Sequence, residues 1–182
     1  MDNQFKAVLD SKITISQLML PSYTNFSGKI HGGYILSLLD QIAFACASKY
    51  SGNYCVTASV DTVDFLNPIE VGELVTMKAL VNYVGNSSMI VGIRVQSENI
   101  QTGVIKHCNS SYFTMVAKDS DGKNTKVPGL ILRNETEIRR FYNCLKIIEA
   151  RKDKQHYEAN FDFGSEEAFK GLSNYNVKVD LG

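Results

Sequence analysis

One stretch of the chain, NFSGKIHGGYILSLLDQIAFACA from Asn25 to Ala47, constrains the fold more than any other. After the Gly32-Gly33 pair, apolar residues occupy nearly every position, so the predicted helix has no polar face to present to solvent. Such a helix must be buried by the protein. It also carries one carboxylate, Asp40, and an aspartate is rarely buried without a partner or a chemical task. The sequence therefore predicts a buried helix with a functional carboxylate.

Four long β-rich runs follow this helix and are separated by short turns that contain Gly or Asn. They are VTASVDTVDFL, LVTMKALVNYV, SMIVGIRVQSE and VIKHCNSSYFTMVAK. Short connections predict antiparallel neighbours, and a weaker alternating run at 12–20 precedes the helix. The order predicts an α+β fold in which a curved antiparallel sheet wraps around a long central helix. Because one sheet cannot cover every side of that helix, we expect a second subunit to help.

The composition divides the chain into three parts: a domain at 1–118, a polar linker at 119–133, and a C-terminal helix and tail at 134–182. Asn134 and Glu137 have the spacing of a capping box. Apolar residues then recur at helical spacing and predict an amphipathic helix that ends near Lys154. Its apolar stripe is interpreted as a docking face, either on the domain or on a neighbouring subunit.

Several function classes are disfavoured by composition. The formal net charge is zero, and the basic residues are dispersed rather than clustered as in a nucleic-acid-binding surface. No apolar stretch approaches the roughly 20 residues that span a bilayer. The four cysteines lack the spacing of a metal site and are interpreted as reduced thiols of an intracellular protein. We therefore expect a cytoplasmic protein with no metal site, no nucleic-acid partner and no membrane association.

The start of the helix offers a site for a negatively charged oxygen. The N–H groups of Gly32 and Gly33 have no helical acceptor, and the helix dipole adds positive potential there. Asp40 lies about 10 Å further along the axis, too far to serve a carbonyl bound at its own helix start. Two antiparallel helices from two subunits would bring Asp40 of one chain to Gly33 of the other. The alternatives are a simple tight turn for the glycines and a structural carboxylate for Asp40.

Two residues before the helix are further candidates. The Asn25 amide could orient a water or hold a carbonyl, or it could simply form a turn. His31 could contact substrate, act as a base, or support the loop, and loop support is favoured.

These residues, in this order, resemble a known family. The sets are Asn25, Gly28, His31-Gly32-Gly33 and Asp40; then Val60-Asp61, Phe65, Pro68 and Val71-Gly72-Glu73; then Val84-Gly85-Asn86-Ser87-Ser88-Met89. The pattern resembles the hot-dog acyl-CoA thioesterases, in particular the acyl-CoA hydrolase branch of bacterial single-domain and cytosolic tandem-domain enzymes. The resemblance covers residues 12–118.

The resemblance implies hydrolysis of acyl-CoA to a free acid and coenzyme A, in fatty acid metabolism, with no metal and no cofactor beyond the CoA of substrate and product. It gives Asp40 the role of general base or nucleophile, with Asn25 facing it from the partner subunit. Gly33, or Gly32, would polarise the thioester carbonyl. His31 and Thr57 would support the site.

The resemblance also implies a CoA-binding turn and an oligomer. The CoA-contacting residues would be Gly85, Asn86, Ser87 and Ser88, although the family usually has Arg or Lys where Asn86 stands. The expected assembly is a homodimer, which can build a tetramer or hexamer. Two other functions stay open. One is a non-catalytic acyl-CoA sensor, and the other is a hot-dog dehydratase that uses His31 with Asp40.

Overall fold

The computed structural model describes residues 5–172 and 175–180. In chain order its elements are β1 (Phe5–Ala7), β2 (Ile13–Leu18), α1 (Gly32–Ser51), β3 (Tyr54–Val60), β4 (Asp64–Phe65), β5 (Glu73–Val84), β6 (Ser88–Asn99), β7 (Ile105–Lys118), β8 (Gly129–Ile131), α2 (Glu135–Asn160) and α3 (Glu166–Gly171). The chain divides into two compact units, Met1–Leu145 and Lys146–Gly182.

The main sheet of the first unit has the strand order β2-β5-β6-β7-β3, with every neighbouring pair antiparallel. The predicted antiparallel sheet around a central helix is confirmed, and this is the hot-dog arrangement. The chain passes from β3 at one edge of the sheet to β5, which lies next to the other edge, so β3 and β5 are not neighbours. The short strand β4 lies on this connection and pairs with β7. A second, parallel pair of β1 with β8 was not predicted, because three-residue strands leave no periodic signal.

Helix α1 packs on the concave face of this sheet. Alternate side chains of the three central strands point at it, and they include Val75, Met77, Ala79, Val81, Val91, Ile93, Val95, Phe113 and Met115. On the helix, the buried residues are Ile35, Leu38, Leu39, Ile42, Ala43, Cys46, Ala47 and Tyr50. The helix ends at Gly52, whose positive φ of 74° allows its N–H to bond the Ser48 carbonyl at 2.9 Å.

The expectation that α1 would be buried on every side, Asp40 included, is wrong for the single chain. A stripe at helical spacing stays exposed: Gly33, Leu36, Ser37, Asp40, Gln41 and Phe44. Leu36 is 37% exposed and Phe44 is 38% exposed. The physical reason is that the sheet curves around only one side of the helix. The uncovered side is therefore a mixed apolar and carboxylate surface.

The first part of α2 belongs to the first unit. The Asn134 side chain accepts a hydrogen bond from the Glu137 N–H at 3.0 Å, so Asn134 caps the helix as predicted. Cys144 is buried and the Phe141 ring lies 5.2 Å from that of Tyr83. Ile138 and Tyr142, from the predicted apolar stripe, instead stay exposed. The helix extends to Asn160, past the predicted end at Lys154.

The predicted polar linker contains β8 and Val127, whose N–H bonds the Asn86 carbonyl at 3.0 Å. In the second unit, the rings of Tyr157, Phe161 and Phe163 form one aromatic cluster. Within the described ranges, no helix combines the length and apolar character that crossing a membrane requires.

Candidate active site

The N-terminus of α1 is capped by His31. Its Nδ1 accepts a hydrogen bond from the Gly33 N–H at 2.9 Å, and its backbone carbonyl accepts from the Tyr34 N–H at 3.0 Å. Of the two glycine amides proposed to polarise a carbonyl, that of Gly33 is therefore engaged by the histidine. For the Gly32 N–H, the described part of the chain provides no acceptor. A Cβ on Gly33 would lie 3.0 Å from the His31 ring, so glycine is what lets this ring approach.

The loop that carries Asn25 is held by its own side chain. Asn25 Oδ1 accepts hydrogen bonds from Ser27 N at 3.0 Å, Ser27 Oγ at 2.7 Å and Lys29 N at 3.2 Å. This is the turn-forming use of asparagine. Gly28, with a φ of 79°, completes the turn by donating its N–H to the Asn25 carbonyl at 3.0 Å. Within this loop, Phe26 is fully exposed.

The loop is fixed to the start of α1 from both ends. The Tyr23 and Tyr34 rings stack with centroids 4.0 Å apart, and the Tyr34 hydroxyl accepts from Gln17 Nε2 at 2.5 Å. The His31 N–H donates to the Tyr23 carbonyl at 2.8 Å. These contacts therefore tie the loop that carries Asn25 to the N-terminus of α1.

Asp40 sits two turns along α1 and meets a residue of β3. The Thr57 hydroxyl donates to Asp40 Oδ1 at 2.5 Å. No other described residue donates a hydrogen bond to this carboxylate. Thr57, a predicted supporting residue, therefore touches the predicted catalytic residue directly.

Two surface hollows meet at Asp40. One is largely apolar, and it is lined by Leu36, Val60, Asp61, Val63, Phe65 and Phe113 in addition to Asp40. The other is lined by Asp40, Gln41, Phe44, Tyr54, Cys55, Val56 and Thr57. The apolar lining from 60–65 was not predicted, because the signal there is an irregular strand with no clear period. A carboxylate flanked by an apolar hollow suits chemistry at the end of an acyl chain.

The turn at 85–88 joins β5 to β6. The Gly85 N–H bonds the Ser88 carbonyl at 2.8 Å, and Asn86 is exposed at the tip. The Ser87 carbonyl accepts from Ala117 N at 2.9 Å, which ties the turn to β7. The turn is thus closed on itself and anchored to β7, and its role in binding CoA stays a prediction.

The structure does not bring all predicted residues together within one chain. Asn25 shares neither a hydrogen bond nor a surface hollow with Asp40 in the described residues. Among those same residues, no group of three or more His, Cys, Asp or Glu side chains is arranged to hold a metal ion.

A second carboxylate, Glu73, has three polar partners on and beside the sheet. The sequence analysis gave this residue no role. Its side chain pairs with Lys106 Nζ at 2.8 Å and accepts from Ser97 Oγ at 2.5 Å and from Glu70 N at 2.9 Å. Burial alone would raise the pKa of Glu73. The hydrogen bonds from the Glu70 backbone, Lys106 and Ser97 outweigh it and lower that pKa.

Residues 27–104 match the family model described as the thioesterase superfamily. A protein of Helicobacter pylori, VdlD, is 46% identical over 153 residues, which are 82% of this chain and 87% of that protein. The chain belongs to the thioesterase superfamily. A second relative, of Bacillus subtilis, is named an uncharacterized acyl-CoA thioester hydrolase, YkhA. It is 35% identical, and the match covers 82% of this chain and 88% of that protein.

Solved structures agree in fold. A hexameric acyl-CoA thioesterase has a TM-score of 0.78 and 35% identity, over 87% of this chain and 99% of that one. An acyl-CoA hydrolase from Staphylococcus aureus, solved with butyryl coenzyme A and coenzyme A, has a TM-score of 0.78 and 30% identity over 93% and 99%. That hydrolase was also solved as three alanine variants, of an asparagine, an aspartate and a threonine. Their positions are separated by 15 and 17 residues.

Proposed function

We propose that this thioesterase hydrolyses acyl-CoA to a carboxylic acid and coenzyme A, at a site shared by two copies of the chain. The observation that carries the proposal is the hydrogen bond of 2.5 Å from the Thr57 hydroxyl to Asp40 Oδ1, beside an apolar hollow. The relatives named as acyl-CoA hydrolases support the substrate class.

Asp40 is proposed as the general base or nucleophile. Thr57 holds one carboxylate oxygen, so the other is oriented and available to take a proton from water or to attack the thioester carbon. If Asp40 acts as the base, water adds to the carbonyl, the C–S bond breaks, and the proton taken by Asp40 passes to the departing thiolate of coenzyme A. If Asp40 attacks the carbonyl itself, the C–S bond breaks to give an Asp40–acyl anhydride, which water hydrolyses to the free acid and the Asp40 carboxylate, and a proton from that water goes to the thiolate.

The thioester carbonyl is proposed to bind at the N-terminus of α1. There the Gly32 N–H and the helix dipole stabilise the developing negative charge on oxygen. The Gly33 N–H can donate to the thioester carbonyl only after its hydrogen bond to His31 Nδ1 is broken. His31 therefore orients the helix start rather than acting as a base.

The two halves of the site are proposed to come from two chains. Gly33 and Asp40 are about 10 Å apart along one axis, so a single helix cannot place both on one carbonyl. Leu36 and Phe44 on the exposed face of α1, together with the fully exposed Phe26, are apolar side chains that a second copy would bury. Hexameric relatives support such pairing.

Asn25 is proposed to face Asp40 of the partner. Asn25, Asp40 and Thr57 are separated by 15 and 17 positions, the same separations as the three substituted residues of the Staphylococcus aureus hydrolase. With Oδ1 used by its own loop, Asn25 would offer its side-chain N–H to the substrate or to the attacking water.

Coenzyme A is proposed to contact the turn at Gly85, Asn86, Ser87 and Ser88. Both serines are part-buried and Asn86 is exposed, so the turn offers hydroxyl, amide and backbone donors. Because Asn86 is uncharged, this turn binds phosphate through hydrogen bonds and not through an ion pair.

The test is subunit mixing. Asn25→Ala and Asp40→Ala homo-oligomers should each be nearly inactive in a thiol-release assay over acyl-CoAs from acetyl to palmitoyl. Co-refolding at equal amounts makes about half of the pairs mixed, each with one intact site, so roughly a quarter of wild-type activity should return. Mixing that restores nothing, with mixed pairs shown to form, would refute the shared site. A wild type that binds CoA but releases no thiol would favour the sensor.

A further inference from the structure

A cavity separate from the two hollows at Asp40 lies on the face of the sheet opposite α1. Its volume is about 340 Å³, and its walls come from Lys12, the central strands β5–β7, and the first turns of α2. In β5 the residues that flank Lys78, Met77 and Ala79, point into the core against α1, so Lys78 points away from it. This cavity shares no residue with either hollow at Asp40.

The cavity is strongly cationic. Its lining includes five basic residues and no acidic one; the five are Lys12, Lys78, Arg94, Arg139 and Arg140. In the described part of the chain none of the five forms an ion pair. The overall charge of the chain is zero, so this concentration of positive charge is local.

Two of these cations lie side by side on adjacent strands. Lys78 on β5 and Arg94 on β6 are direct antiparallel partners. Like charges directly opposite each other destabilise a sheet. Lys78 Nζ donates to the neutral Gln96 Oε1 at 3.2 Å, and among the described residues neither cation pairs with a carboxylate. A bound anion would relieve the repulsion.

The floor of the cavity holds a buried polar group without a partner. Asn82 is 6% exposed, and its Oδ1 is buried with no hydrogen-bond donor among the described residues. The amide lies over Gly92, where an added Cβ would fall 2.0 Å from Asn82 Nδ2. Glycine at 92 thus makes room for this amide. A buried acceptor of this kind is normally satisfied, so a hydroxyl or amino group of a ligand fits it.

We propose that this cavity binds a small, multiply phosphorylated molecule that also carries hydroxyl or amino groups. Arginine guanidinium groups pair with phosphate oxygens in two parallel hydrogen bonds, and clustered lysines add charge. The Asn82 amide accepts from the donor group of the ligand. The volume matches the lower range of small-molecule sites.

The experiment measures binding by calorimetry with two probes, inorganic tripolyphosphate and adenosine 5′-triphosphate, without divalent cations. Arg94→Gln/Arg140→Gln should weaken both by at least about tenfold. The control is Lys123→Gln/Lys126→Gln, which removes the same charge from two exposed lysines outside the cavity. It should change either affinity by less than about twofold.

Two further variants sharpen the test. Arg139→Glu, at an exposed position of α2, changes the charge of the cavity by the same two units as the double variant and should also weaken both probes by at least about tenfold. Asn82→Ala should lower the affinity for the nucleotide but not for tripolyphosphate, because only the nucleotide carries hydroxyl and amino groups away from its phosphates. No binding to the wild type, or equal weakening by the control pair, would overturn the proposal.

Two sources can supply such phosphates: the nucleotide end of coenzyme A, or a separate nucleotide. If coenzyme A supplies them, it competes with the triphosphate, and the arginine variant raises KM for acetyl-CoA with kcat unchanged. If a separate nucleotide does, coenzyme A does not compete and KM stays the same. Either result supports a phosphate site, and direct binding keeps this test independent of the proposed hydrolysis.

Discussion

Two carboxylates on the same domain show opposite designs. Glu73 is buried and meets a lysine, a hydroxyl and a backbone N–H, so its charge is fully compensated. Asp40 is exposed beside an apolar hollow, and among the described residues its one hydrogen-bond partner is Thr57. A carboxylate that stabilises the fold is surrounded by donors, whereas one that reacts keeps an oxygen free. The contrast fits a structural role for Glu73 and the chemical role that we propose for Asp40.

The largest expected effect tests the chemical side of this comparison. Asp40→Asn keeps the shape of the side chain and removes its basicity, so kcat should fall by about 10²-fold or more. Because Asp40 is exposed, the melting temperature should stay within about 2 °C of wild type. Thiol release and circular dichroism measure the two quantities. A folded Asp40→Asn protein with wild-type kcat would remove Asp40 from the mechanism.

The structural side is tested by Glu73→Gln. This change leaves Lys106 without its buried counter-charge, and we expect a loss of about 2–3 kcal/mol in the free energy of unfolding. Denaturant titration measures it, and kcat at a temperature where the variant is folded should change less than about twofold. Glu70→Gln is the matched control, because that residue only pairs with exposed Lys29. Equal stability of the two variants would contradict the role of Glu73.

A smaller effect on kcat is expected from the hydrogen bond between Thr57 of β3 and Asp40 of α1. Thr57→Val removes the hydroxyl that orients Asp40 and keeps the volume, so kcat should fall by about tenfold with KM nearly unchanged. Thr57→Ser should restore most of the rate, because the hydroxyl returns. If valine and serine give the same kcat, the hydrogen bond plays no part in positioning Asp40.

The smallest effect is the pH dependence that Glu73 adds to stability. Its pKa in the folded state is lowered, so its contribution is complete above the ordinary glutamate value of about 4.3. The contribution is lost as the pH falls from there through the folded-state pKa. Denaturant titrations of wild type and Glu73→Gln should therefore converge as the pH is lowered into that range. A difference that stays constant would show that the pKa of Glu73 is not shifted.

The sequence predicts local features of this fold well. The start of α1 at the Gly32-Gly33 pair and the three long strands β5–β7 follow from turn residues and side-chain patterns within a single segment. The cap of α2 at Asn134 is likewise local. Each of these depends on neighbours that are a few residues apart, where spacing alone fixes the geometry.

Features that depend on distant segments were missed. The exposure of Asp40 follows from how far the sheet curves, which no run of residues encodes. The cationic cavity combines five separated segments, and dispersed basic residues at the sequence level become a cluster only after folding. One local detail was also missed: His31 was expected to support its loop, but nothing in the sequence reveals that its ring accepts the Gly33 N–H.

The cysteines have a practical consequence for measuring this enzyme. All four are buried, and burial raises the pKa of Cys46 and of Cys144 to about 12. A thiol-reactive dye reacts with thiolate, so it will label the coenzyme A that is released and spare the native protein. Product formation can thus be followed continuously with little background. Conversely, a slow burst of up to four extra labelled thiols per chain would report that the enzyme is unfolding during the measurement.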